Sequence, residues 1–269
     1  MAHAKTFYIF MCLGILPLIT ACGGIQQNGN LQLDTTMAST SSGPTQLPVL
    51  IVAGMSVEAL AASQTGVISV ISNGSASQLR TLLQQYDSTK VRGVISFGIA
   101  GGLDPSLNPG DIVLATKVVS GSQSWSTSSQ LTSVIHGMLV KGSVTFHQGI
   151  VAGSDTDLTS VSDKASLYAS SGAELVDNES QVAAAFAAAQ GLPFAAIRTV
   201  ADPSNLTLPS SVVSGLSSSS GIDLIAFFTS LATNSSQIPS LMTLAGDTGA
   251  ALNSLTTCHS AVDFSAAVQ

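Results

Sequence analysis

Charge is scarce in this sequence: only 9% of its 269 residues are charged, 8 Lys and Arg against 15 Asp and Glu. A formal net charge of -7 leaves no basic face to release counterions from a nucleic-acid backbone, which excludes nucleic acid as a partner. Cysteine is nearly absent too. Cys12 lies in the N-terminal apolar run, Cys22 follows it, and Cys258 has no partner, so no internal disulfide is available. Cys258 and His259 adjoin within TTCHSAVDFSAAVQ, but His136 and His147 show no ligand spacing with them, and no metal or cofactor is implied. No internal repeat is evident, and no apolar run is long enough to span a bilayer comfortably.

What is present is apolar and small. With 45% hydrophobic residues and mean hydropathy +0.44, the chain can bury one sizeable core. Lys5 precedes the short run FYIFMCLGILPLI, the layout of a secretory leader. Its end, Ile19-Thr20-Ala21-Cys22, resembles the bacterial lipobox, which implies removal of residues 1–21 and lipidation of Cys22. Gly23 after that Cys favours, by the same resemblance, an outer-membrane lipoprotein facing the periplasm. Residues 22–46 are polar and rich in Gly, Ser and Thr with no apolar period, a flexible tether. The domain is then expected over 47–254, with 255–269 as a C-terminal tail.

Apolar runs of strand length alternate with helical patterns through that domain. Leu47–Ala53, Val67–Ser72, Gly93–Gly98, Ile112–Val119, Val144–Val151, the short Leu175–Val176 and Phe194–Val200 read as strands. Helices are expected around Glu58, over 77–85, 133–139 and 163–168, in the alanine-rich stretch after Glu179, and over 223–231 and 238–252. The third of these strands ends at Gly98, where it enters the glycine cluster 98–102. Alternation of this kind predicts a three-layer α/β architecture, a central mixed, largely parallel sheet flanked by helices. In ELVDNESQVAAAFAAAQGLPFAAIRTVADPSN, residues 174–205, acidic side chains sit at the C-terminal ends of two strands, where open α/β sheets bind ligands.

Two stretches, GVISFGIAGGLDPSLNPGDIVLAT and the 174–205 segment, resemble the signatures of the purine nucleoside phosphorylase and nucleosidase superfamily. More narrowly they are similar to the hopanoid-associated phosphorylases, with the methylthioadenosine/S-adenosylhomocysteine nucleosidases as better-understood relatives. The resemblance covers about Val49 to Leu252 and implies a nucleoside phosphorylase-like fold and cleavage of a ribose–purine bond.

By that resemblance Asp202, in the R-x-x-S/A-D pattern from Arg198, protonates the departing base, which requires a water-poor site that raises its pKa. Glu179 matches the Glu that binds the ribose hydroxyls, with Asn178 standing where the family has Met. Glu58 matches the N-terminal Glu that activates water in the nucleosidases. Gly98, Ala100 and Gly101 would line the substrate, and the backbone at Gly74 and Gly98 could hold an anion. Each acid has a plainer alternative: Asp202 capping a turn before Pro203, Asp177 and Glu179 complementing a helix N-terminus, Glu58 on a helix surface.

Phosphorolysis needs cations around a dianion, yet Arg80, Arg92 and Arg198 are the only arginines, and Ser96 and Ile99 stand where phosphorylases of this fold place Arg and Ser or Thr. Water is favoured over phosphate as nucleophile. The loop 153–158 lacks the aromatic on which relatives stack the base; Trp125 and Phe97 are candidates elsewhere, Phe97 also for the core. The expected enzyme is a lipid-anchored nucleosidase releasing adenine from an adenosine-type nucleoside, adenosylhopane among the candidates. It would need no cofactor and assemble as a homo-oligomer. The alternatives are a phosphate-dependent phosphorylase and a degenerate nucleoside-binding protein.

Overall fold

The computed structural model describes residues 46–210, 212 and 235–269. The leader, Cys22, most of the tether and the helix expected over 223–231 lie outside the described residues. Eight strands form one sheet: β1 (Val49–Ala53), β2 (Val67–Ile71), β3 (Val94–Gly102), β4 (Ile112–Ser120), β5 (Gln123–Ser126), β6 (His147–Gly153), β7 (Leu175–Asp177) and β8 (Phe194–Asp202). Among the described residues the helices are α1 (Ser56–Ala61), α2 (Ala76–Gln84), α3 (Ser129–Lys141), α4 (Val161–Ser171), α5 (Ser180–Gln190), α6 (Ile238–Ala261) and α7 (Phe264–Ala267).

Strand order is β2-β1-β3-β7-β6-β4-β5, with β8 bridging β3 and β4. That bridge closes β3, β7, β6, β4 and β8 into a ring from which β1–β2 and β5 extend. Five of the pairings are parallel (β1–β2, β1–β3, β3–β8, β4–β6, β6–β7) and three antiparallel (β3–β7, β4–β5, β4–β8), the mixed, largely parallel sheet expected.

Period-2 alternation divides the apolar residues between two faces. Leu50, Val52, Val94 and Ala196 pack with Leu79 and Leu83 of α2 and Val182, Ala183 and Ala187 of α5. Val49, Ile51, Ile95, Phe97 and Ile197 pack with Leu131 and Ile135 of α3, Leu255 and Cys258 of α6 and Phe264 of α7. A strand covered on both faces reads as an unbroken apolar run, which is why β1 is VLIVA and wholly buried, whereas edge strand β2 is half exposed. Ser75, Ser128 and Ser160 cap α2, α3 and α4 through side-chain oxygens that accept from backbone N–H groups, each contributing about 1 kcal/mol. Gly191, at φ 64°, ends α5 in the left-handed conformation and turns the chain into β8.

Three local expectations are corrected. The third strand does not end at Gly98 but continues through the glycines to Gly102, paired to β8 and then β7. β5 was not foreseen, because QSWS is too polar to show strand periodicity; it forms a hairpin on β4. Residues 255–269 are no tail: α6 runs to Ala261, and Cys258, Phe264 and Val268 are buried. Arg92 secures this end, donating to Ser265 O at 2.6 Å, Ser265 Oγ at 2.8 Å and Val268 O, and to Leu47 O at 2.5 Å where the domain begins. Small Ser, Thr and Ala residues between Leu255, Cys258 and Val262 hide that helical stripe in the sequence.

Candidate active site

The sharp turn from β7 into α5 places three acidic or hydroxyl side chains beneath the sheet. Asp177, last residue of β7, accepts from the N–H of Glu179 at 3.1 Å and of Ser180 at 2.8 Å through Oδ1, satisfying donors at the start of α5. Its Oδ2 takes Arg198 Nε at 2.7 Å, so Asp177 does more than cap. Arg198, on β8 and fully buried, also donates through Nη2 to Ser96 Oγ at 2.5 Å and through Nη1 to Ile99 O at 3.3 Å, and Nη1 lies 3.5 Å from Glu179 Oε2.

Glu58 enters from α1. It is buried, 1% exposed, which removes the surface-helix alternative. Oε2 accepts from Met55 N–H at 2.7 Å, closing the first turn of α1, and Oε1 accepts from Ile99 N–H at 2.8 Å. Glu179 Oε1 accepts from Ser72 Oγ at 2.7 Å. Two glycines make room for the pair. A Cβ on Gly54 would lie 3.0 Å from Glu179 Oε1 and 3.1 Å from Glu58 Oε2, so both carboxylates flank the same backbone position. A Cβ on Gly98 would meet Arg198 Nη1 at 2.6 Å and Glu58 Oε1 at 2.7 Å, so any side chain there would have to displace both.

Three carboxyls thus share one guanidinium out of water, and full ionisation would leave uncompensated negative charge. Burial, only partly opposed by Arg198, pushes Glu179 up to about 7, with Asp177 and Glu58 adding to the rise. Glu58 is raised as well, chiefly by burial, against the pull of Arg198 and of its backbone donors.

Asp202 stands apart from this group, at the far end of β8. The register of β8 on β3 shifts after Ala100, a β-bulge that sets Asp202, in place of Ala201, opposite Gly101. Gly98, which Glu58 abuts, and Gly101, which Asp202 abuts, lie three residues or about 10 Å apart along β3. A Cβ on Gly101 would lie 3.5 Å from both Asp202 carboxylate oxygens. Asp202 Oδ2 accepts from Lys164 Nζ of α4, and burial, against the pull of Lys164, pushes its carboxyl up to about 6. Raised acids after β7 and at the end of β8, the two strands that flank this end of β3, give the site the means to hold and to release protons at different points.

The remaining expected residues fall into place less evenly. Ala100 is buried within β3. Gly74 N–H donates to Gly54 O at 3.1 Å and to Ser72 Oγ at 3.1 Å, so it is already spent, and the expected anion contact there is corrected. Ile99 N–H is likewise taken by Glu58. Asn178 Nδ2 donates to Asp157 Oδ1 at 2.7 Å and to Gly74 O at 3.3 Å, a polar tie where the family pattern has an apolar wall. Phe97 belongs to the core, edge-on to Phe264 at 5.1 Å. Trp125 lines a groove of about 450 Å³ with Tyr86 and Phe186 on the outer side of α5, and no Asp or Glu lines that groove. Sequence reading missed Lys164 and Ser72, which lie in no recognised pattern, and the pairing of Asp177 with Arg198, which the signature contains but chain order does not bring together.

All three arginines are occupied: Arg198 in the buried cluster, Arg92 on the C-terminal backbone, and Arg80 in an exposed ion pair with Asp155 at 2.5 Å.

Several solved structures share this fold. The 5'-methylthioadenosine/S-adenosylhomocysteine nucleosidase from Helicobacter pylori, solved with butyl-thio-DADMe-Immucillin-A, superposes with TM-score 0.58 at 14% identity, over 81% of this chain and 100% of its own. A futalosine hydrolase mutant from Helicobacter pylori does so with TM-score 0.51 at 16% identity, over 57% and 88%. The S-adenosylhomocysteine nucleosidase from Streptococcus pyogenes, in complex with 5-methylthiotubericidin, gives 0.53 at 16%, over 60% and 86%. No curated protein matches the sequence. The family model of the phosphorylase superfamily matches residues 45–211, the span that carries β1 through β8 with Glu58, Glu179 and Asp202, and the chain belongs to that superfamily.

Proposed function

We propose that this member of the phosphorylase superfamily is a nucleosidase that releases a purine base, adenine, from an adenosine-type nucleoside by attack of water. The observation that carries the reading is the pair of buried carboxyls flanking Gly54, with a third, protonatable carboxyl, Asp202, beside Gly101 of β3, three residues along that strand from the Gly98 that Glu58 abuts. A ribose held at Glu179 has its base directed toward Asp202. As the C–N bond breaks, its electron pair leaves with the base, Asp202 gives a proton to a purine ring nitrogen, and the sugar gains positive charge. Glu58 takes a proton from water as the water oxygen bonds to the anomeric carbon. Glu179, accepting from the ribose hydroxyls, orients the sugar and opposes its developing charge.

Water is supported over phosphate by the commitment of every arginine to a protein partner and of the Gly74 and Ile99 N–H groups to the fold. A dianion would find few free donors. The futalosine hydrolase and methylthioadenosine nucleosidase names of the structural neighbours agree with hydrolysis of a nucleoside. The substrate we favour carries an apolar 5' substituent, adenosylhopane being one, because a chain anchored by lipid at Cys22 on the periplasmic side of the outer membrane would meet such a molecule there. A homo-oligomer is part of the same reading.

The full chain, solubilised in mild detergent, is incubated with adenosine, 5'-methylthioadenosine and adenosylhopane, with and without phosphate. Free adenine and free sugar, in amounts independent of phosphate, are expected. Sugar 1-phosphate would replace water by phosphate in the reading, and nucleoside binding without base release would establish a non-catalytic binding protein instead.

A further inference from the structure

Lys164 lies in the first turn of α4, entirely removed from solvent, and none of the chemistry above uses it. Its ammonium has three hydrogens and all are placed: on Asp202 Oδ2, on Pro203 O at 2.9 Å and on Leu206 O at 3.1 Å. A buried ion pair of this kind gains little stability once both ions have been taken out of water. Its asymmetry has a chemical consequence. Only one oxygen of Asp202 is engaged; among the described residues nothing donates to Oδ1, and the side chain keeps 13% of its surface exposed.

An ammonium has no lone pair, so a hydrogen on Oδ2 would face a hydrogen of Nζ, and the acid form of Asp202 must carry its proton on Oδ1. We propose that Lys164 is the positioning residue for base protonation, directing the Asp202 proton to the open oxygen and stabilising the carboxylate left when that proton is given up. This rests on the nucleosidase reading. In the step itself the Oδ1–H bond breaks and a purine N–H bond forms; the electron pair stays on Asp202 beside the ammonium, while the glycosidic pair departs with the base. The groups that face Asp202 are Lys164 from α4, Asp157 from the loop between β6 and α4, and Asp247 from α6. The two carboxylates favour the protonated acid and Lys164 alone opposes them.

The test compares Lys164→Met, which keeps length without charge, with Lys164→Arg, which keeps the charge, in the full chain. Lys164→Met is expected to lower kcat at least about tenfold while KM stays within about twofold. It should also move the alkaline descent of kcat upward by about one pH unit or more, because removing a cation favours the protonated acid. Lys164→Arg should bring the descent back toward the wild type. A packing role alone would lower activity without moving the descent, so an unmoved descent, or an Arg variant no nearer the wild type than Met, overturns the proposal. If thermal melting shows that the Met variant does not fold, Lys164→Gln takes its place with the same expected displacement. The Asp202 carboxyl is followed independently by carbon-13 NMR of aspartate-labelled protein, assigned through Asp202→Asn. If the wild type releases no base, the nucleosidase reading falls, and the NMR midpoint still decides on Lys164: the same midpoint with and without the ammonium overturns its hold on Asp202.

Discussion

Asp202 and Glu179 must work in opposite protonation states, and their surroundings push both carboxyls toward neutrality. Asp202, at about 6, is an acid below that pH and loses its proton above it; Glu179, at about 7, offers both oxygens as acceptors to the ribose hydroxyls once ionised. kcat should therefore fall as pH rises through about 6, while KM improves as pH rises through about 7, giving a narrow optimum between the two. Steady-state base release from pH 5 to 9 checks this, and coincident movement of kcat and KM would contradict the division of roles. Asp202→Asn should reduce kcat by roughly 10²- to 10⁴-fold with folding intact, measured by base release alongside a thermal melt. At this scale the sequence exposed the acids through their family pattern. It hid Lys164, which is one lysine on an otherwise unremarkable helix until the fold seats it on Asp202.

The elements matter through where they end. β7 stops at Asp177 so that α5 can start on a capped turn, and that turn presents Glu179 inward instead of to solvent. β3 runs straight through its glycines because the space above them is filled by Glu58, Arg198 and Asp202 from other elements. Gly98→Ala is expected to destabilise the domain by about 1–3 kcal/mol, through overpacking against buried ions, and to abolish base release by displacing Glu58. Urea unfolding and the activity assay measure the two effects, and a Gly98→Ala variant as stable and active as the wild type would mean that the Glu58 side chain lies elsewhere. From sequence the strand is cut short at its glycines because the partners that require them are far along the chain, at Glu58 and Arg198. The strand–helix alternation needed no such partners and was legible throughout β1 to β8, β5 excepted.

Two properties belong to the molecule as a whole. Glu179 and Asp202 both have folded-state pKa values above their ordinary 4.5 and 3.8, so the folded chain binds protons more tightly than the unfolded one. The stability they contribute is complete at the acid end and is lost as pH rises through about 6 and 7. Denaturant midpoints should thus decline between pH 5 and 8, and Glu179→Gln should flatten the decline; a rise over the same interval would contradict the buried, proton-sharing cluster. The proposed lipid anchor gives a second expectation: Cys22→Ser should release the chain from the membrane fraction, and a variant that stays there holds on by other means. Composition and period by themselves determined the α/β class and the apolar strands, because burial demands apolar runs and local turns demand particular residues, and the acidic residues worth watching came from the family pattern. Tertiary structure alone decided that Glu58 and Glu179 share one glycine, that Arg198 lies inside the protein, and that Lys164 holds Asp202. Ionisation and reach depend on which groups are brought together out of water, and chain order does not record that.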